Sequence, residues 1–120
     1  MLRGVRGATT VEANEAGQVI ERVGELLLAM AKDNQMDTED IGAVIFSSTP
    51  DLNSAFPAVG ARKMGWNEVP LFGTQEIEQP MGLPLCIRIL ILWNTEKKQR
   101  DIHHVYLHGA VVLRQDVQGK

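Results

Sequence analysis

The chain has 120 residues, of which 44% are hydrophobic and 22% charged, a balance typical of a single globular domain. Its formal net charge is −3, and no block of Lys and Arg is longer than Lys97-Lys98, so the sequence excludes the basic surface of a nucleic-acid-binding protein. No stretch approaches the ~20 apolar residues of a membrane span, and the amino terminus lacks the apolar run of a secretory signal. We therefore expect a cytoplasmic protein without a membrane or nucleic-acid partner.

Cysteine and histidine, which form disulfides or bind metals, are few in this sequence. Cys86 is the only cysteine, which excludes an internal disulfide and predicts a small buried thiol in a reducing compartment. His103 and His104 are adjacent, and neighbouring residues of a strand point to opposite faces. We expect these two and His108 to be surface or edge-strand residues, and we expect no metal site.

The amino-terminal third predicts a strand followed by a long helix. Residues 2–9 read as the strand, and Asn14 is a suitable cap for a helix that runs to about Asn34. Gly17 and Gly24 lie on the flank of its apolar face and predict close packing against a neighbouring element. That face consists of Ala16, Val19, Ile20, Val23, Leu26, Leu27 and Met30, which recur at helical spacing.

The middle of the chain predicts two further strands around a short helix. Residues 41–47 read as a strand, and residues 48–54 have the turn-forming composition of a loop. Pro57 suits the first turn of a helix that ends near Gly65, since proline favours helix starts and glycine favours helix ends. Residues 69–73 read as a third short strand.

The remaining segments complete a mixed sheet. They are, in order, a turn at 80–84, an apolar strand at 85–93, a solvated loop at 94–101, a last strand at 105–107, an apolar segment at 110–113 and a frayed tail at 115–120. The order β-α-β-α-β-β-β predicts an α+β fold, a single domain with a mixed five-stranded sheet and helices on one face. We assign residues 1–116 to this domain and 117–120 to a flexible carboxy-terminal tail.

Arg88 lies in the middle of the apolar strand, and its placement suggests a function. A buried guanidinium keeps its charge and must therefore meet an anion, which is either a carboxylate of the protein or a ligand. Cys86, Leu90 and Leu92 share its face, and two helices cannot cover both faces of this sheet. We therefore predict that one face is uncovered and that the protein oligomerises through it.

Other ionisable residues fall at strand ends or inside strands. Arg6, Arg62 and Arg88, with Glu76 and Tyr106, form a set suited to gripping a small polyanion, because the guanidinium fork binds a carboxylate with two parallel hydrogen bonds. No strong nucleophile accompanies them. Each residue also has a plain structural interpretation: Glu76 as the internal partner of Arg88, the other arginines as solvated residues, and the tyrosine as ordinary packing.

Several ordered motifs resemble one family, the AroH class of monofunctional chorismate mutases, from residue 2 to about 116. The motifs are Arg3-Gly-Val-Arg-Gly-Ala-Thr-Thr-Val-Glu12, Ser48-Thr-Pro-Asp-Leu-Asn-Ser-Ala-Phe-Pro57, Gln75-Glu76, Cys86-Ile-Arg88 and His104-Val-Tyr-Leu-His-Gly-Ala-Val-Val-Leu-Arg114. The resemblance implies a homotrimer with a pseudo-α/β barrel core and an active site at each subunit interface. It also implies the Claisen rearrangement of chorismate to prephenate, on the route to phenylalanine and tyrosine, without cofactor, metal or covalent intermediate.

The same resemblance implies roles for individual residues. Arg88 donates to the ether oxygen and holds a substrate carboxylate, Arg6 and Tyr106 bind a carboxylate, and Glu76 accepts from the ring hydroxyl as an orienting group. The pocket is further lined by Phe56, Arg62, Phe72, Gly73, Thr74 and Gln75, with Leu113 and Arg114 near its mouth. A donor aimed at the charge that develops on the ether oxygen is worth roughly 3–4 kcal/mol.

Two positions depart from the family pattern. Gly73 stands where the family has a cysteine, so the backbone N–H of Gly73 is expected to replace a thiol contact. Val59 stands where relatives carry a lysine. The main alternative is a trimeric small-carboxylate binding or metabolite-clearing protein with interface arginines. A second alternative is a structural oligomer whose arginines pair with Glu76 and Glu78.

Overall fold

The computed structural model describes residues 1–118, with side chains for residues 1–114, so residues 119–120 of the predicted tail lie outside it. The strands are β1 (Leu2–Thr10), β2 (Ile41–Ser48), β3 (Leu71–Gln75), β4 (Cys86–Asn94) and β5 (Val105–Tyr106). The α-helices are α1 (Ala16–Asn34), α2 (Ala58–Lys63) and α3 (Val111–Gln118), and 3-10 turns lie at Thr38–Asp40, Gln99–Asp101 and His108–Ala110. Within these residues, no helix is long and apolar enough to cross a membrane.

The five strands form one mixed sheet in the order β3-β2-β4-β1-β5. Strand β4 is central and antiparallel to both β1 and β2, while β3 runs parallel to β2 and β5 runs parallel to β1. The predicted mixed five-stranded sheet and the interior position of the Arg88 strand are therefore confirmed. The central position also explains why this strand is the most apolar segment of the chain.

Helix α1 covers one face of the sheet and forms the core with it. The buried side chains of the helix are Val19, Val23, Leu26, Leu27, Met30 and Asn34, and β4 contributes Ile87, Ile89, Ile91 and Trp93. The helix begins one residue after Glu15, so the predicted capping role of Asn14 is wrong. The Asn14 side-chain oxygen instead accepts from the backbone N–H groups of Asn53 and Ser54, because tertiary contacts compete with local capping.

Helices α1 and α2 approach each other most closely at Gly60. A Cβ atom on Gly60 would lie 2.7 Å from Cβ of Val23 and 2.8 Å from the carbonyl oxygen of Ile20. The predicted close packing of Gly17 and Gly24 is wrong, since a Cβ on Gly17 would meet nothing within 4 Å and one on Gly24 would be 3.9 Å from its nearest atom.

The ends of the shorter elements follow from proline and from backbone angles. Pro57 precedes α2, and Gly65 follows it with a φ of +90°, as predicted. Strand β3 begins at Leu71 and not at Val69, because Pro70 has no N–H and contributes only its carbonyl, which accepts from Val44 N–H at 2.9 Å. Leu85 has a φ of +50° and therefore lies outside β4.

The opposite face of the sheet is uncovered in the single chain, as predicted. Leu90 and Leu92 are half-buried there, whereas their neighbours Ile89 and Ile91 on the core face are buried. The side chain of Arg88 retains 43% of its exposure, so the premise that its guanidinium is buried is wrong for one chain. The guanidinium remains partly exposed because helix α1 packs on the other face of the sheet.

The carboxy-terminal segment differs most from expectation. The last strand stops at Tyr106. Ala110, the first residue of the apolar segment, ends the turn at His108–Ala110, and residues 111–113 open helix α3. Helix α3 extends to Gln118, and the flexibility expected of the tail stays a prediction. This helix carries Leu113 to the uncovered face of the sheet.

Candidate active site

Arg6, Arg88 and Tyr106 come together on the uncovered face through the register of three adjacent strands. Ala8 of β1 is opposite Arg88 on one side and opposite Tyr106 on the other. Arg6 lies two residues earlier on β1 and therefore shares the face. These side chains and Leu113 line a cavity of about 440 Å³, whose walls are completed by Gly7, Ala8, Ile45, Ser47, Ile89 and Leu90.

Glu76 reaches the same arginine from the other side. Its backbone N–H donates to the Ser48 carbonyl at 2.9 Å, which extends the β2–β3 pairing by one residue. Ser47 lies opposite Arg88 across β2 and β4, so Glu76 approaches Arg88 over this serine. The Oε1 atom of Glu76 lies 2.6 Å from Nε of Arg88.

The contact between Glu76 and Arg88 is an ion pair. Both contacting atoms are inaccessible to solvent, and their geometry does not meet the angle of a hydrogen bond. The internal carboxylate partner that the structural interpretation of Arg88 requires is therefore present. No hydrogen bond or ion pair within the described residues uses the Nη atoms of Arg88, which remain available to an anion in the cavity.

A second cavity, of about 350 Å³, lies on the Glu76 side of Arg88. Asp51, on its wall, accepts a hydrogen bond from Leu85 N–H at 2.9 Å through Oδ2. Thr49 Oγ1 accepts from Cys86 N–H at 3.0 Å. These bonds fix the start of β4, and Arg88 follows two residues after Cys86.

The other predicted pocket residues lie elsewhere in the single chain. Phe56, Gly73, Thr74 and Gln75 line a separate hollow of about 670 Å³ beside the edge strand β3. Phe72, Arg62 and Arg114 are exposed and line none of these three spaces. One chain thus assembles Arg6, Glu76, Arg88, Tyr106 and Leu113 but leaves the remainder apart.

Two groups near the site have displaced pKa values. Burial raises the pKa of the Cys86 thiol to about 11, with Arg88 opposing and Glu76 and Asp51 reinforcing the shift. Burial lowers the pKa of His104, and the positive charges of Arg6 and His103 lower it further.

Sequence reasoning missed two residues that contact the site's framework. Asp51 contacts the residue before β4, and His104 accepts a hydrogen bond from the backbone of Arg6. The Ser-Thr-Pro-Asp turn signal locates the first, whereas nothing local in the sequence distinguishes the second from a solvated edge residue.

Comparison with known proteins shows the family of this chain. The family model for chorismate mutase type I matches residues 2–117. The chain belongs to the type I chorismate mutase family. This enzyme is 46% identical over 119 residues to chorismate mutase AroH of Thermus thermophilus, with 98% of each chain covered. It is 40% identical over 118 residues to chorismate mutase AroH of Bacillus subtilis strain 168, covering 98% of this chain and 93% of that one.

A solved structure shows the same fold. The chorismate mutase from Clostridium thermocellum superposes with a TM-score of 0.89 at 45% sequence identity, covering 91% of this chain and 97% of that chain. The protein is accordingly an isomerase with chorismate mutase activity, and the family assignment drawn from the sequence motifs is confirmed.

Proposed function

We propose that the cavity between Arg6, Arg88 and Tyr106 is the site at which this enzyme rearranges chorismate to prephenate. The observation that carries the proposal is the convergence of two guanidiniums and a phenol on one cavity, with a carboxylate held against the central guanidinium. Chorismate carries two carboxylates, one ring hydroxyl and the ether bond that breaks. The donors and the acceptor of this cavity match those groups in kind.

The proposed mechanism gives each of these side chains a defined role. Arg6 and Tyr106 hold a carboxylate of the compact substrate conformer, and Glu76 accepts from the ring hydroxyl. The Nη atoms of Arg88 donate to the ether oxygen and to a carboxylate. Fixing the reacting ends of one molecule beside each other removes much of the entropic part of the barrier.

The chemical step is intramolecular and needs no acid, base or nucleophile from the protein. The ether C–O bond breaks as a C–C bond forms at the other end of the same electron shift, so no proton leaves the substrate. Negative charge grows on the departing oxygen, and a donor already placed there stabilises the transition state more than the ground state. Such a donor contributes roughly 3–4 kcal/mol.

We also propose that a neighbouring subunit completes the site in a homotrimer with a pseudo-α/β barrel core. The separate hollow lies at strand β3, at the opposite edge of the sheet from β5. It is lined by Phe56 and by three residues of β3 itself, Gly73, Thr74 and Gln75. The exposed side chains of Phe56 (80%) and Phe72 (64%) on that side are unusual for a surface that stays in water. Packing this edge over the Arg88 cavity of the next chain would bury the two phenylalanines. It would also bring the predicted pocket residues together.

The cytoplasm is the proposed location of the enzyme, and aromatic amino acid biosynthesis is the proposed route that it serves. A free and buried thiol at Cys86 fits a reducing compartment. Fractionation of the native host with antibodies to this chain tests the location directly.

The test of the proposed site is the loss of the ultraviolet absorbance of chorismate, with prephenate identified as product and the assembly mass measured on the same sample. Arg88→Ala and Phe56→Ala are each expected to be nearly inactive. If the sites are shared between subunits, unfolding and refolding the two variants together restores part of the activity, because every mixed trimer contains one site with both halves native. Inactive mixed trimers, or an active monomer, would contradict the shared site. Saturable chorismate binding by the wild type without turnover would contradict the proposed reaction.

A further inference from the structure

At one end of the short pairing between β1 and β5, a side chain and not a backbone carbonyl accepts the hydrogen bond from β1. Gly7 pairs with Val105 and Ala8 with Tyr106, and Leu107 N–H donates to the Ala8 carbonyl at 2.9 Å. At the other end of this pairing, the backbone N–H of Arg6 donates to the ring atom Nδ1 of His104 at 2.9 Å. An imidazole therefore occupies the place where a carbonyl would continue the ladder.

The carbonyl of the preceding residue already has another partner. Asn34, which is fully buried on α1, donates through Nδ2 to the His103 carbonyl at 2.8 Å and accepts from His103 N–H at 2.8 Å. Both backbone groups of His103 are thus directed to the helix. The hydrogen bond between His104 and Arg6 follows directly after these two contacts in the chain. Together they connect the buried Asn34 to Arg6, which lines the cavity.

The bond fixes the protonation state of the ring. Nδ1 can accept from an N–H donor only when it carries no proton, so His104 must be neutral with its proton on Nε2. Protonation would place two N–H donors against each other and break the link. The charged or titratable groups whose charges act on the ring are Arg6 on β1 and His103 beside it in the chain, and both, with burial, hold its pKa below the ordinary 6.5.

We propose that neutral His104 is a positioning residue for this reaction, which holds β1 against β5 where the two strands present Arg6 and Tyr106 to the cavity. His104 does not line the cavity, and it acts through the backbone of Arg6. The inference rests on the carboxylate-binding role proposed above for Arg6. It gives the enzyme a pH dependence on the acid side, although the proposed chemical step uses no acid or base from the protein.

The test compares His104→Leu, His104→Asn and the adjacent control His103→Asn in the full-length enzyme. Leucine removes the acceptor, so kcat/KM at neutral pH should fall about tenfold, the scale of one lost hydrogen bond at a binding group. Asparagine supplies a non-titrating acceptor close to the position of Nδ1 and should keep most of the activity. The His103 side chain is exposed, and its replacement should leave the neutral activity unchanged.

The pH profile of kcat/KM, measured from about pH 5 to 8, separates positioning from a general structural effect. The wild type and His103→Asn should lose activity as the pH falls through the pKa of His104, which NMR titration of its ring measures in the same buffers. His104→Asn should lack that acid limb. A wild-type profile that stays flat through the measured pKa, an acid limb that persists in His104→Asn, or full activity of His104→Leu would overturn the proposal.

Arg6→Ala separates this inference from the function on which it rests. An active Arg6→Ala variant would remove the binding role of Arg6 itself. An inactive Arg6→Ala beside an undisturbed His104→Leu would remove only the role of His104. Circular dichroism and assembly mass of every variant show whether a loss of activity comes from a loss of folding, and His104→Asn keeps the test decisive if the leucine variant does not fold.

Discussion

Glu76 holds its carboxylate oxygen 2.6 Å from Nε of Arg88, while the Nη atoms of the same guanidinium make no contact of this kind within the described residues. The pair therefore anchors one edge of the guanidinium and directs the other edge into the cavity lined by Arg6 and Tyr106. This contact fits both interpretations that the sequence leaves open for Arg88, since the internal carboxylate orients the guanidinium that we propose binds the ligand. The predictions for Arg88 and Glu76 follow from this division.

Arg88→Lys keeps the positive charge but loses the planar fork. We expect kcat to fall at least a few hundredfold, because the ammonium cannot contact Glu76, a carboxylate and the ether oxygen from one fixed plane. Folding should be preserved, since lysine keeps the positive charge beside Glu76 and the side chain of Arg88 is 43% exposed in the single chain. Urea denaturation and steady-state kinetics measure both effects, with the exposed Arg100→Lys as the matched control. Near-wild-type turnover by Arg88→Lys would show that charge alone suffices.

Glu76→Gln and Glu76→Ala separate orientation from charge. Glutamine retains a neutral acceptor for the ring hydroxyl and a weaker partner for Arg88, whereas alanine removes both. We therefore expect kcat/KM to fall about tenfold for glutamine, which weakens both contacts, and roughly a further tenfold for alanine, which removes them. Equal activity of the two variants would argue that the carboxylate serves only as a structural partner of Arg88.

Gly60 and Gly17 form a matched pair for stability. Gly60→Ala should destabilise the fold by about 1–3 kcal/mol, because its Cβ would lie 2.7 Å from Cβ of Val23 and force α1 and α2 apart. Gly17→Ala should stabilise the fold by about 0.5–1 kcal/mol, since its Cβ meets nothing within 4 Å and alanine favours a helix. Thermal or urea unfolding measures both. The reasoning about helix contact fails if the two substitutions change stability in the same direction.

Cys86 should resist thiol reagents in the folded enzyme. Burial raises its pKa from 9.0 to about 11, so little reactive thiolate exists at pH 8, and the thiol should react with Ellman's reagent only after unfolding. Between pH 9 and 11 the unfolded thiol loses its proton while the folded one keeps it, so this group makes stability fall as the pH rises through that range. Cys86→Ala should flatten that part of the stability curve. Rapid labelling of the native enzyme would contradict the buried, protonated thiol.

Secondary structure was predictable where the apolar pattern is long and regular. The 3.6-residue stripe located α1, and the unbroken run around Arg88 located the central strand β4. The four apolar residues at 110–113 were ambiguous, because so short a run fits a strand or a helix equally well. Ala110 ends the turn at His108–Ala110, and the other three residues begin α3. Asn14 satisfies every local rule for a helix cap, yet its side chain bonds to Asn53 and Ser54, which no local rule could indicate.

The residues of the proposed site could be named from the sequence, but their arrangement could not. Ordered motifs along nearly the whole chain identified the family and, with it, Arg6, Glu76, Arg88 and Tyr106. They could not indicate that Glu76 contacts Nε of Arg88, nor that the ring of His104 accepts a hydrogen bond from the backbone N–H of Arg6. Both relationships depend on how strands distant in sequence pair, and a shift of the register by one residue would turn every side chain of a strand to the other face.

The sequence by itself determined the family, the elements of the sheet and the cationic character of the site, because these depend on residue types, their period and their order. Only the tertiary structure decided that β4 lies between β1 and β2, that Glu76 contacts Nε of Arg88, and that Phe56 and Gln75 lie apart from Arg88 in the single chain. The physical reason is that these relationships are set by long-range backbone hydrogen bonds and packing, which compete across the whole chain and leave no local signature in any single segment.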